Sequence, residues 1–226
     1  MHIAKDLPLS LLAVLALFSS SRPAVCAEPA AKSSWETDPQ GWVDIQPAAD
    51  LKGWTRVPIP PTNHLGREQW HVDAKANVLV CDGDGGHDML RFDQEQADGV
   101  FHVEFCFTPL ATDKPKYNSG VFIRNSADGG IWHQAQLTMT GGYLFGNTPT
   151  NGMVKRFQLK PAEQRMKPAG EWNTMEVTAR GKTLSVWLNG AVTCTFADCD
   201  FPKGYVALES EGFRIEFRNL KLKELR

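Results

Sequence analysis

Positive charge is scarce in this chain of 226 residues: 24 Lys and Arg stand against 26 Asp and Glu, for a formal net charge of −2. A nucleic-acid binder neutralises phosphates with a stripe of Lys and Arg; no such stripe is visible, so nucleic acid is not an expected partner. Cysteine is sparse, and no Cys-x-x-Cys pair occurs, so neither a thiolate metal site nor a cysteine nucleophile is indicated. Gly-x-Ser-x-Gly and His-Glu-x-x-His are also missing, which leaves a serine-esterase elbow and a zincin site without an anchor. Neither a metal nor a cofactor is expected on these grounds. Asp82-Gly83-Asp84-Gly85-Gly86 offers oxygens to Ca²⁺, yet it lacks the later Asp and the terminal Glu of an EF-hand loop and reads as a structural turn.

Long apolar runs are missing too, with one exception. Lys5 precedes an apolar run from Leu7 to Phe18 and small residues ending in Val25-Cys26-Ala27, the pattern of a secretory signal peptide cleaved after Ala27. That run is too short to span a bilayer, and Pro23-Ala24-Val25 before Cys26 is a poor lipobox. The expectation is a mature protein without a membrane span, periplasmic or secreted. Residues 28–40 read as a flexible leader and residues 41–226 as one domain. Removing residues 1–27 leaves 199 of the 226 and four cysteines, Cys81, Cys106, Cys194 and Cys199, which allow three pairings. An oxidising compartment favours disulfides, with Cys194–Cys199 as a local clasp and Cys81–Cys106 as the other pair; the alternative is that each is a small buried hydrophobe.

What the chain has in plenty is alternation. In Lys167–Gly190, Met175, Val177 and Ala179 alternate with Thr174, Glu176 and Thr178; Gly181-Lys182 turns the chain, and Leu184, Val186 and Leu188 repeat the pattern before Asn189-Gly190. Asn-Gly between alternating runs is a strong hairpin signal, because both central residues of a type I′ turn need positive φ. Further strand-like runs cover Asn77–Cys81, Met89–Phe92, Val100–Phe107, Gly120–Arg124, Trp132–Thr140, Val192–Phe196, Tyr205–Glu209 and Phe213–Leu222. In the last, Phe213, Ile215 and Phe217 share one parity while Leu220 and Leu222 take the other, which predicts a bulge near Arg218-Asn219. No helix of length is indicated. The stretch from Asn147 to Pro168 reads as a long loop, disordered or walling a site.

Five pieces in order carry a resemblance: Asp50-Leu51-Lys52-Gly53-Trp54, Asn118-Ser119-Gly120-Val121-Phe122-Ile123-Arg124, Gln134-Ala135-Gln136, Gly170-Glu171-Trp172-Asn173 and Phe217-Arg218-Asn219-Leu220. Together they resemble the 3-keto-disaccharide hydrolase family, also described as 3-keto-glucoside lyase and hydratase. The resemblance implies an all-β, concanavalin A-like jelly-roll sandwich of two antiparallel sheets, and a carbohydrate partner, an oxidised glycoside. The Glu-x-Asp-x-x-Glu motif of retaining glucanases on such a fold does not occur, so two-carboxylate hydrolysis has no sequence anchor.

Alternation then sorts the faces. Phe101, Val103, Phe105 and Phe107 make one side of their strand apolar and turn His102 and Glu104 away; Val121 and Ile123 do the same to Phe122 and Arg124, and Ala135 and Leu137 to Trp132, Gln134 and Gln136. If the three strands share a sheet, these residues form one concave patch, where aromatic faces and polar groups suit a pyranose ring. The resemblance implies a substrate already oxidised at C3. Its ketone acidifies the C2 proton, the enolate expels the C1 substituent, and water adds to the glycal. One base and one donor to the enolate oxygen are needed: Arg124 is the expected stabiliser and Glu104 or His102 the expected base, with Asn118, Phe122, Trp132, His133, Gln134 and Gln136 binding substrate. His133 reaches the patch only if a bulge reverses its parity. The family strand often reads Tyr-Glu-x-Gln, which puts Gln134 where an acid stands. An amide cannot be a base, so the alternative reading is a non-catalytic carbohydrate-binding module.

Overall fold

A computed structural model describes residues 30–112 and 116–226; the expected signal peptide lies outside the described residues. In chain order the elements are α1 (Ser34–Thr37), β1 (Trp42–Asp44), β2 (Trp54–Pro58), β3 (Trp70–Asp73), β4 (Val78–Cys81), β5 (Asp88–Phe92), β6 (Gly99–Phe107), β7 (Ser119–Asn125), β8 (Trp132–Leu137), β9 (Leu144–Thr150), β10 (Met153–Leu159), β11 (Asn173–Arg180), β12 (Thr183–Leu188), β13 (Ala191–Phe196), β14 (Tyr205–Ser210) and β15 (Ile215–Glu224). One sheet runs β13-β12-β11-β6-β15-β4-β3, with β1 added to β15; the other runs β10-β9-β8-β7-β14-β5-β2. Every pairing is antiparallel, giving the all-β jelly-roll sandwich.

The alternating apolar residues meet between the sheets. Phe101, Val103 and Phe105 of β6 with Met175 and Val177 of β11 face Val121 and Ile123 of β7, Ala135 and Leu137 of β8 and Leu208 of β14, all buried. Each large side chain so buried contributes about 1.5–3 kcal/mol of transfer free energy, which is why one parity of each strand is fixed to the core and the other left free. The parity change in β15 is met as expected: the register to β6 shifts between Arg218 and Lys221, Asn219 adopts φ 54°, and Phe217, Leu220 and Leu222 are all buried.

Three expectations are corrected. The stretch from Asn147 to Pro168 is not mainly loop: β9 and β10 pair through residue 159, around Asn151 (φ 51°) and Gly152 (φ 77°), a second Asn-Gly turn like the one at Asn189 (φ 44°) and Gly190 (φ 105°). Part of the expected flexible leader is laid down on the outer sheet. Ser33 caps α1 in a capping box with Glu36, and the backbone N–H groups of Ser34 and Trp35 donate to Glu176 at 2.7 and 3.0 Å. Finally, Cys81, Cys106, Cys194 and Cys199 are all free and buried. Cys194 lies against the Leu159 carbonyl and Cys199 against His133 and Thr148, so each packs with its own neighbours and they act as small hydrophobes. The Asp82–Gly86 turn is held by arginines, Asp82 pairing with Arg214 and Asp84 with Arg67.

Candidate active site

The free face of the second sheet forms a concave cavity of about 750 Å³, within the usual range of small-molecule sites. Register fixes its floor. One row across the strands reads Phe145 (β9), Gln134 (β8), Phe122 (β7) and Ala207 (β14); the next reads Gln136 (β8), Gly120 (β7), Glu209 (β14) and Met89 (β5). Trp132, Asn118, His87, Glu211 and the segment Pro58–Pro61 complete the lining, the Ile59 N–H donating to the His87 carbonyl at 3.0 Å. The structure therefore brings Asn118, Phe122, Trp132, Gln134 and Gln136 into one cavity.

It does not bring the other four. His102 and Glu104 point away from the core, as alternation requires, but β6 pairs with β11 and β15 and never with β7. Their face is therefore the outer surface of the opposite sheet. There His102 is buried beneath Trp35 and Trp42, with its Nδ1 3.0 Å from Glu176. Glu104 accepts hydrogen bonds from Arg218 at 2.7 Å and Asn219 at 2.8 Å.

Arg124 fails for a backbone reason. It sits at φ 51° where the β14 register to β7 slips, so its side chain leaves the alternation. The guanidinium, only 1% exposed, donates to Asp98 and to the Gly181 carbonyl, both at 2.6 Å, and it pins the β11–β12 turn rather than a substrate. His133 keeps its core parity: Nδ1–H donates to the Ile123 and Arg124 carbonyls at 3.2 and 3.1 Å, and Nε2 accepts from the Cys199 thiol at 3.4 Å. Burial pushes its pKa down to about 4, so it is a neutral core residue.

The groups that sequence reasoning missed are Glu209, His87 and Glu211. Val206 and Leu208 turn to the core, so alternation puts Glu209 and, past the strand end, Glu211 on the cavity side; that signal was available in Ala207-Leu208-Glu209-Ser210-Glu211. Glu209 is 3% exposed. Its Oε1 lies 2.9 Å from His87 Nε2, and its Oε2 accepts from the Gln134 amide at 2.5 Å. Gln136 joins the network, donating to the Asn118 side chain and, at 3.2 Å, to the Ser119 carbonyl.

Gly120 makes the central contact possible. A Cβ there would stand 2.2 Å from Gln134 Nε2 and 2.6 Å from its Cδ, so only glycine lets the β8 amide cross β7 to reach β14.

Burial, the largest influence, raises the Glu209 carboxyl above its usual range, with nearby Glu211 adding to it; His87 and Gln134 pull the other way. His87 is raised chiefly by its hydrogen bond to Glu209. The two shifts thus have different causes, burial for Glu209 and the hydrogen bond between the pair for His87. A carboxyl kept out of water, with its pKa raised and a hydrogen-bonded histidine beside it, is a candidate general base. Among the described residues, His87, Glu209 and Glu211 also form one group able to hold a cation, with ligand atoms within 4.8 Å of one another.

Residues 41–223 match the family model described as 3-keto-alpha-glucoside-1,2-lyase-like domain. Among curated proteins none matches the sequence. Solved structures share the fold. A putative glycosyl hydrolase from Parabacteroides distasonis is 15% identical with a TM-score of 0.59, over 88% of this chain and 100% of that one. The carbohydrate binding module CBM66 from Bacillus subtilis is 14% identical with a TM-score of 0.56, over 76% and 96%. A Bacillus licheniformis beta-glucanase is 12% identical with a TM-score of 0.50, over 77% and 94%.

Proposed function

Because the chain belongs to the 3-keto-alpha-glucoside-1,2-lyase-like domain family, we propose that its concave cavity binds a glycoside oxidised at C3 and that Glu209 removes the C2 proton. A carbohydrate-related role comes with the family; the elimination, its base and export to the periplasm or beyond are our reading. The observation that carries it is the desolvated Glu209 carboxylate on the cavity floor, within hydrogen-bond reach of both His87 and Gln134.

The reaction asks little of the protein. The C2–H bond breaks with the proton passing to Glu209, and the electron pair forms an enolate through the C3 ketone. The C1–O bond then breaks as the C1=C2 double bond forms and the C3 ketone returns, the departing oxygen leaves as the alcohol with the proton that Glu209 had taken, and water adding to that glycal gives the free 3-keto sugar. His87, its Nε2 held by Glu209 at 2.9 Å, has Nδ1 left to donate to the enolate oxygen, the role expected of Arg124. Gln136 and Asn118 are left for ring hydroxyls. A placed base is worth roughly 10²–10⁴-fold and a pre-oriented donor about 10²–10³-fold.

Incubation with a 3-keto-disaccharide and with its unoxidised parent tests the proposal. Glycal or free 3-keto sugar should appear from the first alone, with C2 deuterium lost to solvent, and Glu209→Gln should abolish both signals. A second reading, a non-catalytic carbohydrate-binding module, is favoured by Gln134 standing where the family strand often carries an acid. Saturable binding of both sugars with no product from either would establish it instead.

A further inference from the structure

Gln134 is held from below and from both sides, and the direction of its hydrogen bonds follows from one backbone group. The Ser119 carbonyl can only accept, so Gln136 must turn its amide nitrogen toward it, at 3.2 Å. The Gln136 oxygen then faces Gln134 and accepts from its Nε2 at 3.2 Å, while the same nitrogen donates to Glu209 Oε2 at 2.5 Å. A carboxamide nitrogen has two hydrogens, and both are now used. Gly120 lies beneath that nitrogen, with no Cβ to displace it. One polar atom of this buried side chain remains, the carbonyl oxygen Oε1. It has no hydrogen-bond partner among the described residues and is not sealed in protein, so it opens on the cavity that Gln134 lines.

We propose that Gln134 Oε1 accepts a hydrogen bond from the 2-hydroxyl of the sugar, so that the substrates are 3-keto-glycosides with a free 2-hydroxyl and Gln134 is the residue that reads it. The inference rests on the elimination reading above, in which Glu209 faces the C2 proton. The oxygen and nitrogen of one carboxamide lie about 2.3 Å apart, which keeps Oε1 within about 5 Å of the Glu209 oxygen that Nε2 touches. A carbon giving up its proton stands about 3–3.5 Å from the base, so a hydroxyl on that same carbon comes within hydrogen-bond reach of Oε1. Donor and acceptor chemistry then singles it out. An amide oxygen only accepts, and on C1 and C3 the glycosidic oxygen and the ketone have no hydrogen to give. The 2-hydroxyl has one. Holding it also fixes the orientation of the C2–H bond, which shares its carbon, toward Glu209.

The experiment compares kcat/KM for methyl 3-keto-glucoside and its 2-deoxy-2-fluoro analogue with the purified chain, on the plateau of the pH profile. Fluorine keeps the C2 proton and adds to its acidity but has no hydrogen to donate, so slower turnover reads the lost contact. Leaving the Gln134 oxygen unpaired should favour the hydroxyl compound by about 10–100-fold. Gln134→Ala should bring that ratio close to one, since any effect on Glu209 is common to both substrates; Gln134→Leu gives the same reading if the alanine variant does not fold. Equal turnover of the two by the unaltered chain, or a preference that survives in the variant, overturns the inference and leaves the elimination standing. If neither compound is consumed, the elimination reading fails, and binding of methyl glucoside and its 2-deoxy-2-fluoro analogue, followed by tryptophan fluorescence, decides the inference. Binding of the glucoside about tenfold tighter, with the difference abolished in Gln134→Ala, sustains it; equal affinities, or a difference that the variant keeps, overturn it.

Discussion

Adding one methyl group at Gly120 tests the site more closely than removing any of its functional groups. The backbone there does not have positive φ, so Gly120→Ala brings no conformational strain. The new Cβ meets the movable end of the Gln134 side chain, 2.2 Å from Nε2 as it stands, and that amide has to swing away. What is lost is the 2.5 Å hydrogen bond to Glu209. A hydrogen bond to a charged group is worth about 1.5–3 kcal/mol, and this one favours the ionised carboxylate. Its loss therefore raises the Glu209 pKa further. The base acts when deprotonated, so the acid limb of the kcat/KM profile for a 3-keto-disaccharide should move upward, with the plateau rate recovered at higher pH. Gln134→Ala should move the limb similarly, and the double variant should add little, since both break one contact. An unmoved acid limb in a folded Gly120→Ala variant would refute the assignment of Glu209 as base through this network.

Other consequences are equally direct. Burial pushes the Cys81 thiol up to about 12 and the four described cysteines are all free and buried; alkylation at pH 8 should therefore leave those four unmodified in the native protein, modify all four after unfolding, and need no reductant. The Glu176 carboxylate gathers the N–H groups of Ser34 and Trp35 and the His102 ring. Its removal in Glu176→Ala should cost roughly 1.5–3 kcal/mol and lower Tm by about 3–12 °C. Burial alone would raise the Glu176 pKa, but these hydrogen bonds together outweigh burial and hold it low. Its contribution is thus present above the unfolded value near 4.3 and lost as pH falls through the folded one, so amide exchange of residues 30–44 should accelerate in acid. Dialysis against a chelator should leave turnover intact, because His87 and Gln134 already occupy both Glu209 oxygens; loss that added divalent cation restores would make His87, Glu209 and Glu211 metal ligands.

The faces of the strands were legible in sequence and their neighbours were not. Alternation placed Phe101, Val103 and Phe105 in the core and His102 and Glu104 outside it, correctly, because a strand has only two sides and apolar burial chooses one. Which sheet a strand joins depends on pairings between distant segments, such as β6 with β11 some seventy residues later, and nothing local encodes them. Arg124 defeats alternation because a single left-handed residue turns its side chain out of sequence. β10 escaped notice because it is an outer strand with Lys155 and Arg156 among exposed neighbours, so no apolar parity marks it. Its turn, Asn151-Gly152, carried the same signal that identified Asn189-Gly190. Glu209 needed only parity to be found as a cavity residue, but its partner Gln134 lies 75 positions away, and their contact is set by the glycine between them.

That contact bears on how a site of this kind can lose an acid from one strand and keep one overall. The side-chain tips of Gln134 on β8 and Glu209 on β14 meet above Gly120 within a single hydrogen-bond length, so a carboxylate carried by either strand occupies nearly the same point of the cavity. Gln134→Glu alone should be harmful, since two carboxyls that close cannot both ionise and one must hold a proton. Glu209→Gln alone removes the base, at roughly 10²–10⁴-fold in rate. The double variant restores one carboxyl facing one amide with the order reversed, and is expected to recover at least tenfold over Glu209→Gln. The His87 Nε2–H then donates to an amide oxygen instead of a carboxylate, so its raised pKa should relax and the basic limb of the profile should fall to lower pH. A double variant as inactive as Glu209→Gln would mean that the His87 contact, 2.9 Å from Glu209 and not shared by Gln134, and not the location of the negative charge, makes the base.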